Sequence, residues 1–225
     1  MIDQLIIGDK ASYDDYSASL ATRAIGQPKK KTIKETVPYS NATYDFSAIN
    51  GELYWEEREL EYVFEMTAET PEELEEMKAA FADWVMNVME EKIFDPFIPD
   101  YHFVGTFDDI EFDDDEGLDK TTVSVRFTAY PYKIANYAKE YTYTVEPNSS
   151  LTIHIENASS HRVIPTITVS DAGITLGYGN LRWYIPQGTV KYDFFMLEKG
   201  INEFSCQNTT AINSTVTFSI IEEVL

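Results

Sequence analysis

The side chains that could do chemistry in this chain are mostly carboxylates: 39 Asp and Glu stand beside only three His and one Cys. Carboxylates offer acid–base pairs or hard-cation ligation. The densest run, Asp108-Asp109-Ile110-Glu111-Phe112-Asp113-Asp114-Asp115-Glu116-Gly117, is the natural calcium candidate. Its register fails. With Gly117 as the sixth residue of a helix–loop–helix calcium loop, acids are needed at 112, 114 and 116 and Glu at 123, but 112 is Phe and 123 is Val. The run is therefore expected to be a solvated acidic turn region, from Asp108 to Lys120. A glycosidase needs two carboxyls about 5–10 Å apart in one cleft, and abundance does not supply that geometry.

The remaining reactive groups are equally sparse. His102, His154 and His161 lack the spacing of a zinc site, and His154, alternating with Ile153 and Ile155, belongs on the outward face of a strand. Cys206 has no basic neighbour in sequence and is expected to be a core thiol. Gly177-Tyr178-Gly179 lacks the third glycine and the following helix of a dinucleotide site. No catalytic, cofactor-binding or metal-ligating residue is assigned, no cofactor is expected, and the chain is not expected to be an enzyme.

Charge narrows the partners. The net charge of −22 repels phosphate backbones and anionic headgroups, which argues against sequence-specific nucleic-acid binding and against membrane association. The charge is concentrated in the first 138 residues, which carry −18, leaving −4 for the rest. Lys29-Lys30-Lys31, with Lys34 nearby, is the exception, and is either a solvated loop or a contact arm for an acidic surface of a neighbouring copy. The opening MIDQLIIGDK has neither the basic nor the long apolar segment of a signal peptide, so a cytosolic product is expected. Five Asn-x-Ser/Thr triplets, at Asn41, Asn148, Asn157, Asn208 and Asn213, are then better read as Asn- and Thr-rich turns than as glycosylation sites.

The elements that must carry these residues are mainly strands, with aromatics at 14% of the chain. Leu60, Tyr62, Phe64 and Met66 alternate with Glu59, Glu61, Val63 and Glu65, the mark of a strand with one buried face. Thr70-Pro71-Glu72-Glu73 caps one long helix, placed at 71–93, whose apolar stripe runs through Leu74, Met77, Phe81, Trp84, Val85 and Val88. Tyr101–Phe107 and Thr121–Tyr130 read as further strands. Beyond Pro131 the expected strands are Tyr141–Val145, Leu151–Ile155, Val163–Val169, Leu181–Ile185, Val190–Leu197 and Val216–Ile221, which suggests an antiparallel sandwich. The expected domains are 1–136 and 137–225. Trp183 and Tyr184 could stack on a sugar, or be buried as sandwich aromatics.

This order of pieces resembles the siphophage distal tail protein family, the baseplate hub of phages and prophages. The resemblance rests on the short strand Leu5-Ile6-Ile7-Gly8, the basic loop, strand Leu60–Met66, the helix opening Thr70-Pro71-Glu72-Glu73-Leu74 and Ala129-Tyr130-Pro131-Tyr132. It continues through Pro165-Thr166-Ile167-Thr168-Val169, Leu197-Glu198-Lys199-Gly200-Ile201-Asn202 and the closing strand. The resemblance implies an N-terminal β-sandwich or barrel-like ring domain with a packed helix, followed by a C-terminal galectin-like antiparallel β-sandwich. It implies a virion structural protein of the phage tail, assembled in the bacterial cytoplasm. Its copies would form a homo-hexameric ring joining the tail tube to tail-tip and receptor-binding proteins, with DNA passing through the bore. The competing class is a carbohydrate-binding adhesion module, against which the missing secretion signal counts.

Overall fold

The computed structural model describes residues 3–225 except 37, 40, 49, 50, 116 and 118, so Glu116 of the acidic run lies outside the described residues. The chain divides into two compact units, 1–133 with 225, and 134–224, which places the division ahead of the expected 136/137.

The first unit is built on one antiparallel sheet. Its strands are β1 (Ile6–Ile7), β2 (Lys10–Ala11), β3 (Ser19–Ile25), β6 (Arg58–Thr67), β7 (Glu91–Phe94), β8 (Tyr101–Asp114) and β9 (Lys120–Ala129), in the order β2-β1-β7-β8-β9-β6-β3. A separate hairpin pairs β4 (Lys34–Thr36) with β5 (Thr43–Asp45). The period-2 pattern of β6 is realised: Leu60, Tyr62, Phe64 and Met66 are buried, and Leu60, Tyr62 and Phe64 lie opposite Phe127, Val125 and Val123 of β9. Helix α1 (Pro71–Met86) covers that face with Leu74, Phe81 and Val85. Phe81 meets Phe64 edge-on at 5.2 Å, and Tyr16 stacks on Trp84 at 4.6 Å. Asp95 is buried beneath this sheet, where it is ion-paired to Arg23 and accepts the Tyr62 hydroxyl at 3.3 Å. Burial beside that carboxylate raises the pKa of Tyr62.

Two expectations for this unit are corrected. The helix stops at Met86, short of 93. Asn87 caps it, its side chain donating back to the Asp83 carbonyl at 2.6 Å. Glu90 then takes a left-handed turn (φ 52°), and β8 captures the chain, with Phe107 N–H donating to Val88 O at 3.0 Å. Val88 is buried as the stripe predicts, and Ile93 is buried from a strand. The acidic turn region also begins later, because β8 runs through Asp114. A bulge at Asp108, between the pairs Phe107–Phe127 and Asp109–Arg126, shifts the parity of the strand. After it Ile110 and Phe112 pack against the core.

The second unit closes two four-stranded sheets on each other. One is β11 (Lys139–Val145), β18 (Ser214–Ile220), β13 (Thr166–Val169) and β16 (Gly188–Lys191). The other is β12 (Ser150–Asn157), β17 (Gly200–Asn208), β14 (Ile174–Tyr178) and β15 (Leu181–Ile185), each sheet listed in spatial order. The short β10 (Lys133–Ala135) and β19 (Glu223–Val224) pair with each other. Ile153, Ile155, Ile167, Phe204, Cys206, Val216 and Phe218 form the core. Three buried asparagines hold its loops. Asn208 donates to Val145 O (3.1 Å) and Ile212 O (2.7 Å) while accepting from Thr210 N (2.9 Å), and Asn157 donates to His161 O and Leu197 O while accepting from Ser159 N. These are Asn-x-Ser/Thr triplets acting as turns; both asparagines are too buried to carry a glycan. Asn202 closes the third loop. The expected strand Val190–Leu197 is corrected: β16 ends at Lys191, Phe195 N–H bonds to Tyr192 O in a turn, and Leu197 forms only a bridge with Val163. Burial of Phe195 and Leu197 accounts for the apolar run.

Candidate functional site: an acidic face, an arm and a pocket

The histidines, the cysteine and the glycine pair, none of them assigned a catalytic role, occupy separate settings. His102 is buried against Phe94, with ring centroids 5.3 Å apart. His154 is exposed on β12 with Nδ1 3.8 Å from Glu203, and His161 lies 3.3 Å from Glu223. Cys206 is fully buried, and burial pushes its thiol up to about 11. Gly177 lies within β14 opposite Arg182, where a Cβ would come within 2.7 Å of the guanidinium. Its role is to let that side chain cross the strand.

What the fold does assemble is a charged sheet face. The side of β8, β9 and β6 turned away from the α1-covered core presents rows in register: Asp113, Thr122 and Glu65; Glu111, Ser124 and Val63; Asp109, Arg126 and Glu61. The next row pairs Thr128 with Glu59. Arg126 is ion-paired to Asp109, which raises its pKa. The bulge at Asp108 is what brings Asp109, Glu111 and Asp113 onto the same side as the β6 glutamates. The β6 alternation showed the glutamates; nothing in the sequence pattern marked the bulge. The carboxylates of β8 and β6 are separated by Thr122, Ser124, Arg126 and Thr128 of β9, and the face as a whole carries an excess of negative charge that repels a phosphate backbone.

Beside this face the chain leaves the sheet as a ladder. Lys31 N–H donates to Tyr54 O at 2.8 Å and Glu56 N–H to Lys29 O at 2.7 Å, and Lys30 bridges Trp55. The ladder continues to β4 and β5, where Phe46 N–H bonds to Ile33 O. Ile33, Tyr44, Phe46, Leu53 and Tyr54 are exposed along it, together with Lys29, Lys30, Lys31 and Lys34. An exposed apolar and basic two-stranded arm is not a self-sufficient structure in water.

In the second unit a pocket of about 220 Å³ opens beside β15. Phe195 and Phe204 are largely buried and stacked at 5.1 Å, while Tyr178, Leu181, Phe194 and Met196 are exposed around the mouth. Trp183 is half-buried and edge-on to Phe195 at 5.2 Å. Arg162 and Glu198 join at the rim, Nε to Oε2, at 2.8 Å. Tyr184, expected to be either a sugar platform or buried, is exposed on the other side of β15 and takes no part in the pocket. Sequence reasoning marked Trp183 but missed Phe194 and Met196, which it had assigned to a strand.

A helix-backed sheet followed by a two-sheet β-sandwich defines a mainly-β, two-unit class of fold. No family model matches the sequence, and no curated protein matches it. Among solved structures the chain is similar to the SPP1 Dit (gp 19.1) protein, described as a paradigm of the hub adsorption apparatus in phages infecting Gram-positive bacteria. The TM-score is 0.69 at 15% identity, covering 100% of both chains. A chain of the phage P2 baseplate in its activated conformation also aligns, with TM-score 0.37 and 8% identity over 97% of this chain and 98% of that one. The chain thus has the distal-tail-protein fold that its element order implied. Among the described residues no helix is long and apolar enough to cross a membrane.

Proposed function

We propose that this chain is a structural protein of a phage tail, a hub at the distal end of the tail tube that six copies form as a ring. The observation that carries this is the acidic face of β8, β9 and β6, on a fold similar over its full length to a phage hub protein. Facing inward, Glu59, Glu61, Glu65, Asp109, Glu111 and Asp113 would line a bore through which DNA slides without being held, since carboxylates offer no counterion-releasing contacts and the cation in these rows, Arg126, is ion-paired to Asp109. The Lys29–Tyr54 ladder is the contact arm: its exposed apolar residues and lysines suit a neighbouring copy of this strongly acidic chain. The sandwich unit serves as the platform for tail-tip or receptor-binding proteins. The chain acts through surfaces rather than turnover, and its place is the virion tail.

The decisive experiment is imaging of the assembled particle, alone and with tail-tube partners, together with its mass in solution. Six-fold rings with Glu61 and Glu111 on the channel wall are expected. A channel lined by basic or apolar side chains, or a monomer at every concentration with and without partners, overturns the proposal. Charge reversal at Lys29, Lys30 and Lys31 should weaken ring assembly.

A further inference from the structure

Strand β15 ends its sheet: it pairs with β14 on one side, and among the described residues no backbone hydrogen bond reaches its other side. Natural proteins blunt such edges with inward charges, bulges or proline. The five residues Leu181-Arg182-Trp183-Tyr184-Ile185 have no inward charge, bulge or proline, with Pro186 standing just beyond them, and their register with β14 is unbroken. Along β15 the inward-facing Leu181 and Trp183 line the aromatic pocket, while Arg182 points the other way, across Gly177. Arg182 donates to the carbonyls of Gly179 and Leu181 and has no carboxylate partner among the described residues, in a chain of net charge −22.

The pocket's chemistry points away from a saccharide. Its one buried amide, Asn202, is already committed to the carbonyls of Ile155, Glu198 and Gly200. The mouth adds the aliphatic Leu181 and Met196 to the aromatics. Exposed Tyr, Phe and Met around a half-buried Trp, with Arg at the rim, is the composition of a protein docking centre.

We propose that β15 and this pocket take up an extended segment of another protein, which adds to the sheet as a further strand. One large apolar side chain of the segment enters the pocket, and a carboxylate on the adjacent residue, pointing to the opposite side, meets Arg182 once its guanidinium swings from the Gly179 and Leu181 carbonyls over β14 to the open edge. The alternation of a strand puts neighbouring side chains on opposite faces, so a residue in the pocket leaves its neighbour on the Arg182 side. Ladder hydrogen bonds supply affinity and the pocket supplies selectivity, while the unpaired cation favours an acidic segment that the rest of the surface repels. The site does not depend on ring formation, since every residue it uses lies in the sandwich unit.

The test uses the full chain and synthetic peptides of about ten residues, each with one Trp, Phe or Leu beside a Glu or Lys. Binding is read by fluorescence anisotropy, and β15 amide protection by hydrogen exchange. Peptides with Trp or Phe next to Glu should bind and protect Leu181–Ile185, and N-methylation of alternate peptide amides should abolish both. Phe194→Ser and Arg182→Glu, both at exposed positions, should each weaken binding about tenfold or more, and Arg182→Glu should move the preference from Glu to Lys. Binding that ignores N-methylation and the Arg182 reversal overturns the proposal, as does binding of no peptide at millimolar concentration. Binding of a saccharide panel that Phe194→Ser removes would assign the pocket to sugars instead.

Discussion

The two units close their cores differently, and the difference decides where each can offer a surface. The first covers one face of a single sheet with α1 and leaves the other to carboxylates. The second folds two sheets together, so its inner faces are consumed, its outer faces carry scattered polar side chains such as His154 and Glu203, and the apolar pocket lies at an edge. A one-sided core leaves a broad, flat, chargeable wall, whereas a sandwich leaves narrow mouths suited to a single side chain.

The strongest test of this contrast deletes a fully buried ring on each side. Phe81→Ala removes a fully buried side chain that touches Tyr16, Phe64 and Trp84. It should cost about 3–5 kcal/mol and lower hydrogen-exchange protection in β6 and β9. Phe218→Ala, beneath Phe195 and Phe204, should cost a similar amount and act on β13 and β18. If Phe81→Ala leaves β6 protection intact, the helix is not what closes the first core. Next in size is Asn208→Ala, which strips the carbonyls of Val145 and Ile212 and the Thr210 amide of their buried partner. Denaturant titration should show a loss of about 2–3 kcal/mol, against little change for Asn213→Ala at an exposed triplet of the same type.

How much of this was legible depended on whether pattern and tertiary context agreed. In β6 from Leu60 and in β9 from Val123 every second residue is apolar and the structure buries it; at Thr70 the cap sequence starts the helix where the fold does. At the helix end they disagree, because Val88 and Ile93 suit a helical stripe and a sheet equally well, and pairing with β8 wins. The acidic wall was half visible. Its β6 glutamates alternate openly, but Asp109, Glu111 and Asp113 join them only through a bulge that leaves no local signature. Strand β17 was missed because its inward positions include Asn202 and Asn208 as well as apolar residues, and β14 because its five residues include Gly177.

Smaller is the pH response of the sandwich core. The Cys206 thiol is neutral and buried when folded, with its pKa raised from 9.0 to about 11. The unfolded chain then binds fewer protons than the folded one between those values, so the stability contributed by Cys206 is complete below pH 9 and is lost as the pH rises towards 11. The full loss is roughly 2–3 kcal/mol. Comparing wild type with Cys206→Ala removes the tyrosine and lysine titrations common to both; the wild type should lose more stability across this window. Thiol reagents at pH 8 should label Cys206 only at the rate of unfolding. Fast labelling of the native chain would show that the sandwich is not sealed there.

The finest test concerns the start of α1. Thr70 Oγ1 accepts the Glu73 N–H at 3.2 Å, while the Glu73 carboxylate accepts from Glu69 N–H at 3.0 Å, one residue before the cap rather than at it. The reciprocal arrangement satisfies one amide inside the helix and one outside it. Thr70→Ala should cost about 1 kcal/mol and Thr70→Ser much less, because serine keeps the accepting oxygen. Since α1 covers the first core, the loss should appear as faster amide exchange in β6 and β9, with β12 and β17 of the sandwich unmoved. If Thr70→Ala instead loosens β12 and β17, the assignment of one helix to one core is wrong, and with it the explanation of how α1 on one face leaves the other face of the first sheet to its carboxylates.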